Sequence, residues 1–268
     1  MIYGDDRYKI IDCISCWYDL LGFGHPFKQA NWNLNDTSCK TNFERLKSIS
    51  TEFIYSLNLY GTNFYVNDGI ASTIDIKGKE KDDIDKVLYF IESILLHFNN
   101  INMSEKRNNY PGIRGVVTAG QRVFYDVTNY DYNVMTKEIT SYHPAEFQMN
   151  TAYSKAYIME GSGSKAGLSG PHLYVDVLLY SVFQKMFDGI DGYSVEISEG
   201  SVDEYKVIVY ANHEWFLKLY FDKEEIKYNE NGIETSLYRL REYESYLDWY
   251  AKNHPSPLGR FIYDDDDE

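Results

Sequence analysis

Two aspartates, Asp19 and Asp68, occupy positions in this sequence at which carboxylates could bind divalent metal ions. Asp19 follows a run of β-forming residues, 8–17, that predicts a mostly buried strand. Asp68 lies in Asn67-Asp68-Gly69, which is typical of a tight hairpin turn. A buried carboxylate is costly without a partner. If the strand pairs with the hairpin, the usual strand spacing of about 4.8 Å brings both aspartates close enough to hold two divalent metal ions roughly 3.5–4 Å apart.

Each aspartate alone has a simpler explanation. Asp68 on its own is a turn residue, and Asp19 on its own caps a turn or a helix. On that interpretation the chain is an α+β domain whose aspartates bind nothing. Gly22 and Gly24, however, follow Asp19 and leave backbone N–H groups free to wrap a triphosphate. The combination therefore favours a site for a metal-bound nucleotide.

The charge of the chain narrows the class of ligand. Its 268 residues include 41 acidic and 26 basic residues, which gives a formal net charge of −15. This charge repels a phosphate backbone and argues against nucleic acid or a membrane surface as a partner. A phosphate-bearing ligand is therefore expected to bring metal ions, Mg²⁺ or Mn²⁺, with it.

The cysteines and the N-terminus indicate the compartment. Cys13, Cys16 and Cys39 are an odd number of cysteines in a chain long enough to need no disulfides, which suits a reducing compartment. Cys13 and Cys16 fall inside the predicted strand, whereas a redox pair should open a helix, so we interpret them as packing thiols. Residues 1–6 lack the pattern of a secretory signal, and the apolar stretch 87–98 is too short to span a bilayer. We expect a cytoplasmic protein.

The first half of the chain has a regular order of elements. Apolar residues at helical spacing alternate with short β-forming runs. The predicted elements are a strand at 8–17, a long loop at 24–41, a helix at 43–57, a hairpin of 63–66 and 70–76, a helix at 84–98, and a strand pair at 112–120 and 121–125. The order β-α-β-β-α-β predicts an α+β fold with a ferredoxin-like core, in which helices cover one face of an antiparallel sheet.

The second half of the chain is predicted to form a C-terminal α/β extension of the ferredoxin-like core. The predicted elements are a helix at 145–160, a Gly-Ser loop at 161–167, a helix from Pro171 onward, strands at 205–210 and 215–221, and a last helix at 237–253. The acidic run 264–268 predicts a disordered, solvated tail. We therefore divide the chain into a domain at 1–225 and a helical extension with the acidic tail at 226–268.

Three segments resemble the class III nucleotidyl cyclases. Residues Cys16 to Phe23 resemble the family's first-strand signature, Phe64 to Ile70 its metal-binding hairpin, and Arg114 to Gly120 its later central strand. The resemblance covers roughly residues 8 to 130 and makes 1–225 a nucleotidyl cyclase domain. It implies that the metals are held by Asp19, Leu20 and Asp68, that the nucleotide lies against Leu20, Gly22, Phe23, Phe64 and Tyr65, and that Arg114 is catalytic with the two aspartates.

A narrower resemblance involves residues 149–157, 161–168 and 170–176, which are similar to the pyrimidine cyclases of Pycsar anti-phage defence. The resemblance implies conversion of UTP or CTP to cyclic UMP or cyclic CMP plus pyrophosphate by a two-metal mechanism. It also implies a homodimer with active sites at its interface, and a cyclic product that is passed to a separate effector.

The sequence departs from the family pattern at two places. Purine cyclases carry a lysine four residues before the hairpin aspartate, where this chain has Phe64. The family's Asn-x-x-x-Arg is matched most nearly by 172–176, which supplies no arginine, so Arg114, Lys155 and Lys165 are candidates for the missing cation.

These departures leave two other functions open. One is a catalytically silent cyclase fold that binds nucleotide or dimerises, and the other is a metal-dependent phosphodiesterase or polymerase-like enzyme. The identity of the product distinguishes all three.

Overall fold

The structure is a computed structural model that describes residues 9–55, 60–124, 130–200, 203–246 and 249. The strands are β1 (Lys9–Leu20), β2 (Thr62–Val66), β3 (Gly69–Asp75), β4 (Ile113–Phe124), β5 (Tyr130–Asn133), β6 (Glu138–Tyr142), β7 (Leu173–Asp176), β8 (Ser194–Glu199), β9 (Glu204–Ala211), β10 (Glu214–Asp222), β11 (Ile226–Glu230) and β12 (Ile233–Ser245). The helices are α1 (Gly24–Gln29), α2 (Lys40–Tyr55), α3 (Lys81–Arg107), α4 (Thr151–Ser162) and α5 (Leu178–Phe187).

One large sheet organises the described residues. Its strand order is β2-β3-β1-β4-β7-β12-β10-β9-β8, with β11 added on β12, and β5 and β6 form a separate hairpin. Every pairing in the large sheet is antiparallel except that of β4 with β7. The first four strands with α2 and α3 have the predicted β-α-β-β-α-β order, so the α+β, ferredoxin-like prediction is confirmed.

The alternation of side chains along β1 determines which helices cover each face of the sheet. Tyr18 and Leu20 are buried in the larger apolar cluster, with α3 and α5, whereas Trp17 is buried in a second cluster with α4 on the other face. Helix α3 has Asp82 and Asp83 in its first turn and basic residues in its last, which complement the helix dipole. The two clusters place α3 and α4 on opposite sides of β1.

Two predictions about the central strands are wrong. The pair at 112–120 and 121–125 is a single strand, β4, up to Phe124. Gly120 does not form a turn: a Cβ there would lie 2.7 Å from the backbone nitrogen of Ala152, so the glycine allows α4 to approach the sheet. The helix predicted from Pro171 begins at Leu178, because the apolar residues 173–175 are buried in β7, parallel to β4.

The loop and the third predicted helix also differ from the sequence predictions. The long loop at 24–41 contains helix α1 and the start of α2. The helix predicted at 145–160 begins at Thr151, where the Asn150 side chain accepts a hydrogen bond from the Tyr153 N–H as an N-cap.

The helix predicted at 237–253 is wrong up to Ser245, where the chain is strand β12. Tertiary pairing decides this conformation, because β12 hydrogen-bonds to β7 and β10 along successive parts of its length and to β11 near its start. The helical character predicted for 226–268 is therefore wrong for residues 226–245. The boundary at residue 225 stays a prediction, and the predicted tail at 264–268 lies outside the described residues.

The remaining expectations concern cysteines and membrane helices. Cys13 and Cys16 are buried free thiols in β1, as predicted for packing cysteines, and burial raises the pKa of Cys13 to about 12. No helix in the described part of the chain has the length and apolar character needed to cross a membrane.

Candidate active site

Strand pairing brings the two predicted aspartates together. In the antiparallel pairing of β1 with β3, Asp19 lies opposite Gly69, the residue after Asp68. The backbone N–H of Leu20 donates to the carbonyl oxygen of Asp68 at 3.2 Å, which ties the end of β1 to the hairpin tip. The structure thus places Asp68 at the tip of the β2–β3 hairpin, next to Asp19.

The local sequence explains the shape of the hairpin tip. Asn67 has a positive φ of 55°, which asparagine tolerates, and its side-chain N–H donates to Asp68 Oδ1 at 2.6 Å. Gly69 is required because a Cβ there would lie 2.1 Å from the indole ring of Trp17. The glycine therefore lets the Trp17 ring lie across the hairpin beside the two carboxylates.

Both carboxyl groups have raised pKa values. Burial is the largest cause that raises the pKa of Asp19 to about 7, and the negative charges of Asp68 and Glu160 and a hydrogen bond with Asp68 contribute to the same shift. Burial also raises the pKa of Asp68, against smaller opposing effects from its hydrogen bonds and from the charge of Arg45. Two adjacent carboxyl groups in a partly desolvated site resist double ionisation until a cation binds.

A pocket of about 520 Å³ opens beside this pair. Its walls come from the end of β1, the β2–β3 hairpin, the C-terminal half of α4 and the β11–β12 turn. The lining residues are Trp17, Asp19, Val66, Asn67, Asp68, Tyr157, Ile158, Glu160, Gly161, Ser162 and Asn231. The rings of Trp17 and Tyr157 meet edge to face at 5.1 Å, and Tyr157 is 53% exposed. The pocket thus combines carboxylates with aromatic edges.

Glu160 adds a third carboxylate to this pocket, and Arg114 neutralises it. Arg114 Nη2 lies 2.7 Å from Glu160 Oε1, with side-chain exposures of 14% and 5%. The guanidinium also donates to the carbonyl oxygens of Glu160 and Leu168 at 3.3 and 3.2 Å. Arg114 lies opposite Asp19 in the β1–β4 pairing, but Glu160 and these carbonyls hold its guanidinium.

The turn after Asp19 is close to the site. Leu20 and Phe23 are buried, so the backbone of Leu20 rather than its side chain is available for a ligand. Gly22 has a positive φ of 71°, which a glycine adopts without strain. A second cavity, of about 400 Å³, is lined by Phe23, Gly24, Phe27, Trp32, Leu34, Asn67 and Asp68. Asp68 therefore lies between the larger pocket and a cavity bordered by the turn.

The two aromatic residues predicted to contact the nucleotide, Phe64 and Tyr65, lie on opposite faces of the sheet. Phe64 packs against Tyr142 and Phe147, with ring centroids 5.9 Å apart in both pairs, on the same face as Trp17. Tyr65 packs against the larger core on the other face. Side chains alternate along β2, so both residues cannot serve the same pocket. This geometry argues against the predicted nucleotide contact of Tyr65.

The other two candidates for the missing cation, Lys155 and Lys165, do not line the larger pocket. Lys155 Nζ donates to the carbonyl oxygen of Ala119 at 2.5 Å, and burial lowers its pKa. Lys165 is exposed in the turn after α4 and does not line the pocket. The segment 172–176, expected to correspond to the family's helix, is mostly strand β7.

The donor set fits a divalent cation that arrives with a phosphate ligand. Within the described residues, no group of three or more His, Cys, Asp or Glu side chains is arranged to hold a metal ion. Mg²⁺ usually takes one or two protein carboxylates and completes its octahedral shell with phosphate oxygens and water. Asp19 and Asp68 supply those carboxylates. Burial raises the pKa of both, the negative charge of Asp68 also raises that of Asp19, and a bound cation would offset these effects.

Several pocket residues were missed by the sequence analysis. Trp17 had a local signal, because a residue two positions before Asp19 on a strand shares its face. Glu160 had a weaker signal, as the last residue of the predicted helix before a Gly-Ser loop. Asn231 had none, because the segment that contains it was assigned to a helical extension.

Solved structures similar to this chain include guanylyl and adenylyl cyclases. The guanylyl cyclase Cya2 is 11% identical over 87% of this chain and 92% of its own, with a TM-score of 0.44. The guanylate cyclase domain of RhGC from Catenaria anguillulae, solved in complex with GTP, is 9% identical over 88% of this chain and 100% of its own, with a TM-score of 0.43. A class III adenylyl cyclase-like ATP-binding protein from Pseudomonas aeruginosa is 11% identical over 67% of this chain and 37% of its own, with a TM-score of 0.40.

No protein-family model and no curated protein matches the chain. Because the three TM-scores are below 0.5, the fold assignment rests on the strand order and register described above.

Proposed function

We propose that this protein is a nucleotidyl cyclase that converts UTP or CTP to the 3′,5′-cyclic monophosphate and pyrophosphate. The observation that carries the proposal is the pair of adjacent, partly desolvated carboxyl groups of Asp19 and Asp68 at the wall of an open 520 Å³ pocket. The 3′-hydroxyl oxygen of the ribose attacks the α-phosphorus. The bond from the α-phosphorus to the oxygen that bridges to the β-phosphate breaks, pyrophosphate leaves and the hydroxyl proton is released to solvent.

The chain's own residues bind and orient the triphosphate. Two Mg²⁺ or Mn²⁺ ions, when bound, would activate the 3′-hydroxyl and neutralise the phosphates. Asp19 and Asp68 would hold these ions, and the carbonyl oxygen of Leu20 would be a further ligand. The turn at Gly22 supplies backbone N–H groups to the phosphates. Positioning and electrostatics of this kind account for cyclisation without a covalent intermediate.

The larger pocket is assigned to the nucleoside. Trp17 and Tyr157 offer aromatic surface to a base or ribose, and Ser162 and Asn231 offer hydrogen-bonding groups. Phe64, which stands where purine cyclases carry a lysine, lies on this face of the sheet. An aromatic residue in place of a base-reading lysine supports a pyrimidine substrate.

A homodimer would complete this open site. Val66 and Tyr157 line the pocket and are 44% and 53% exposed. Apolar surface of this kind beside a polar site suits coverage by a second subunit, which would also bring base contacts. On the resemblance to the pyrimidine cyclases of anti-phage defence, we also propose that the cyclic product signals infection to a separate effector.

One observation favours the alternative of a catalytically silent nucleotide-binding module. Among the described residues that line the larger pocket there is no lysine or arginine, and Arg114 is held by Glu160. In the proposed enzyme, Arg114 therefore acts by positioning Glu160 and the end of α4, and the transition-state cation comes from the metals or from the second subunit.

Product analysis tests the proposal. The purified protein is incubated with Mn²⁺ or Mg²⁺ and each of the four ribonucleoside triphosphates in turn, and the products are identified by mass spectrometry. We expect cyclic UMP or cyclic CMP, lost in Asp68→Asn. Cyclic AMP or cyclic GMP alone would contradict the pyrimidine assignment, linear products would favour the phosphodiesterase or polymerase-like class, and binding without turnover would favour the silent module.

A further inference from the structure

The turn after Asp19 is held from behind by side chains of helix α2. Arg45 Nη2 donates to the carbonyl oxygen of Leu21 at 3.1 Å, and Asn42 Nδ2 donates to the carbonyl oxygen of Phe23 at 2.8 Å. Arg45 is 3% exposed and Asn42 is 1% exposed. The two carbonyl groups on either side of Gly22 are thus fixed by buried donors from one helix.

A buried ion pair holds Arg45 itself. Its Nε and Nη2 donate to both carboxylate oxygens of Glu105 on α3, the shortest distance being 2.5 Å between Nη2 and Oε2. Both side chains are 3% exposed. The fork geometry of arginine allows one guanidinium to bond this carboxylate and the Leu21 carbonyl together, which a lysine ammonium does less well.

The same network reaches the turn by a second route. Glu105 Oε2 accepts a hydrogen bond from the N–H of Gly112 at 3.3 Å, and the carbonyl oxygen of Gly112 accepts one from the N–H of Leu21 at 2.9 Å. Leu21 is therefore fixed at both its N–H and its carbonyl, and both bonds depend on the Arg45–Glu105 pair.

The N–H groups of the turn fall into two kinds: those of Leu21 and Phe23 donate to the carbonyl oxygens of Gly112 and Leu20 at 2.9 and 3.4 Å. Within the part of the chain that the structure describes, the N–H groups of Gly22 and Gly24 donate no hydrogen bond to protein. With the carbonyls of Leu21 and Phe23 held toward α2, these N–H groups are left for an anionic ligand beside Asp68.

We infer that Arg45, with Asn42 and Glu105, is a positioning residue for the triphosphate: the buried network fixes the backbone of residues 21–24 so that the N–H groups of Gly22 and Gly24 bind the phosphate chain. This inference rests on the proposed function. It assigns a role in the reaction to a buried ion pair that does not line the larger pocket.

A matched pair of double variants tests the inference. Arg45→Met with Glu105→Gln removes both charges and keeps a side-chain acceptor for Gly112. The control, Arg122→Met with Asp75→Asn, neutralises another ion pair, between strands β4 and β3, with Nε 2.6 Å from Oδ1 and side-chain exposures of 4% and 13%. Asp75 pairs with Cys13, six residues before Asp19 on β1, which places the control about 20 Å away along the strand.

The first readout is binding of inorganic tripolyphosphate in the presence of Mg²⁺, a probe that has no base or ribose. We expect the Arg45/Glu105 variant to bind it about tenfold more weakly than wild type, and the control variant to match wild type. For the nucleotide, KM should rise about tenfold while kcat changes less than about threefold, because the lost interaction is made in both the ground state and the transition state. Wild-type tripolyphosphate affinity in the Arg45/Glu105 variant would overturn the inference.

Further variants separate positioning from stability. Arg45→Lys keeps the charge beside Glu105 but loses the fork, so it should recover thermal stability without recovering tripolyphosphate affinity. Parallel recovery of thermal stability and tripolyphosphate affinity would show a purely structural role and overturn the inference.

Asn42→Ala tests the Phe23 carbonyl separately if the double variant does not fold. It should weaken tripolyphosphate binding about threefold. Unchanged binding would overturn the inference.

Hydrogen exchange keeps the inference separate from the proposed function. If wild-type protein bound neither tripolyphosphate nor any nucleotide, the proposed function would fail. The exchange rate of the Leu21 amide would still report on the turn, and we expect it to rise at least about tenfold in the Arg45/Glu105 variant while that of Val117 in β4 stays unchanged. An unchanged Leu21 rate would overturn the inference independently.

Discussion

A buried ion pair and a half-buried pair of carboxyl groups flank the end of β1, and only the ion pair has its charges compensated. On the helix-covered side, Arg45 and Glu105 form an ion pair with 3% exposure on each side chain. On the pocket side, Asp19 and Asp68 are neighbours of like charge, and burial raises the pKa of both. We interpret this contrast as support for the binding site proposed at Asp19 and Asp68.

The comparison predicts its largest effect on stability at the ion pair. Arg45→Ala leaves Glu105 as an unpaired buried carboxylate and should lower the free energy of unfolding by about 3–5 kcal/mol. Asp19→Asn removes an uncompensated carboxylate and should leave the metal-free protein as stable as wild type, or more stable. Urea unfolding of the two variants at pH 8 with a chelator measures both effects. Equal destabilisation by the two substitutions would contradict the contrast.

Substitutions in the Asp19–Asp68 pair should reduce activity more than substitutions in the Arg45–Glu105 ion pair. Asp68→Asn keeps the size of the side chain and removes a metal-binding charge, so we expect cyclase activity to fall at least about 100-fold. The matched control is Asp75→Asn, a carboxylate at the other end of β3, which should retain activity within about threefold. Loss of activity in both variants would indicate damage to the sheet rather than to a site.

The positions of Asp19 and Asp68 could be predicted from the sequence because their signals are local. A β-forming run, a helix and an Asn-Asp-Gly turn determine which strands pair, and antiparallel pairing then brings the two carboxylates together. Helix α3 was predictable for the same reason, because its apolar residues recur at helical spacing over several turns.

The two ion pairs near the candidate site could not be predicted from the sequence. Arg114 and Glu160 are 46 residues apart, and Arg45 and Glu105 are 60 apart, so only the tertiary packing of α2, α3 and α4 brings each pair together. Strand β12 was mistaken for a helix because its apolar residues Leu237, Leu240 and Tyr243 fall at intervals of three, and its conformation depends on pairing with distant strands.

The pH dependence of stability sharpens the comparison. The pKa of Asp19 in the folded protein is about 7, above its ordinary value of 3.8, so the folded state holds a proton that the unfolded state has lost. The stability contributed by the protonated carboxyl is fully present below pH about 4 and is lost as pH rises through about 7. In chelator, the free energy of unfolding of wild type relative to Asp19→Asn should therefore fall between pH 4 and pH 8. A constant difference across that range would contradict the raised pKa of Asp19.

A smaller effect is expected at the rim of the nucleoside pocket. Asn231 lines the pocket from the β11–β12 turn and has a positive φ of 54°. Asn231→Gly removes the side chain without backbone strain, and loss of one neutral hydrogen bond should raise KM by about 2–10-fold with little change in kcat. Steady-state kinetics of cyclic-product formation measure this. An unchanged KM would remove Asn231 from the nucleoside site.

Binding of Mn²⁺ in the presence of a slowly reacting UTP or CTP analogue tests the central claim most directly, because it asks whether the uncompensated carboxylates hold a metal. Electron paramagnetic resonance counts the bound ions. The account predicts nucleotide-dependent Mn²⁺ binding in wild type that tightens as pH rises through about 7, since the metal requires deprotonated carboxylates. It also predicts loss of that binding in Asp19→Asn and Asp68→Asn but not in Asp75→Asn. Equal Mn²⁺ binding by wild type and both site variants would contradict the assignment of Asp19 and Asp68 as the metal site.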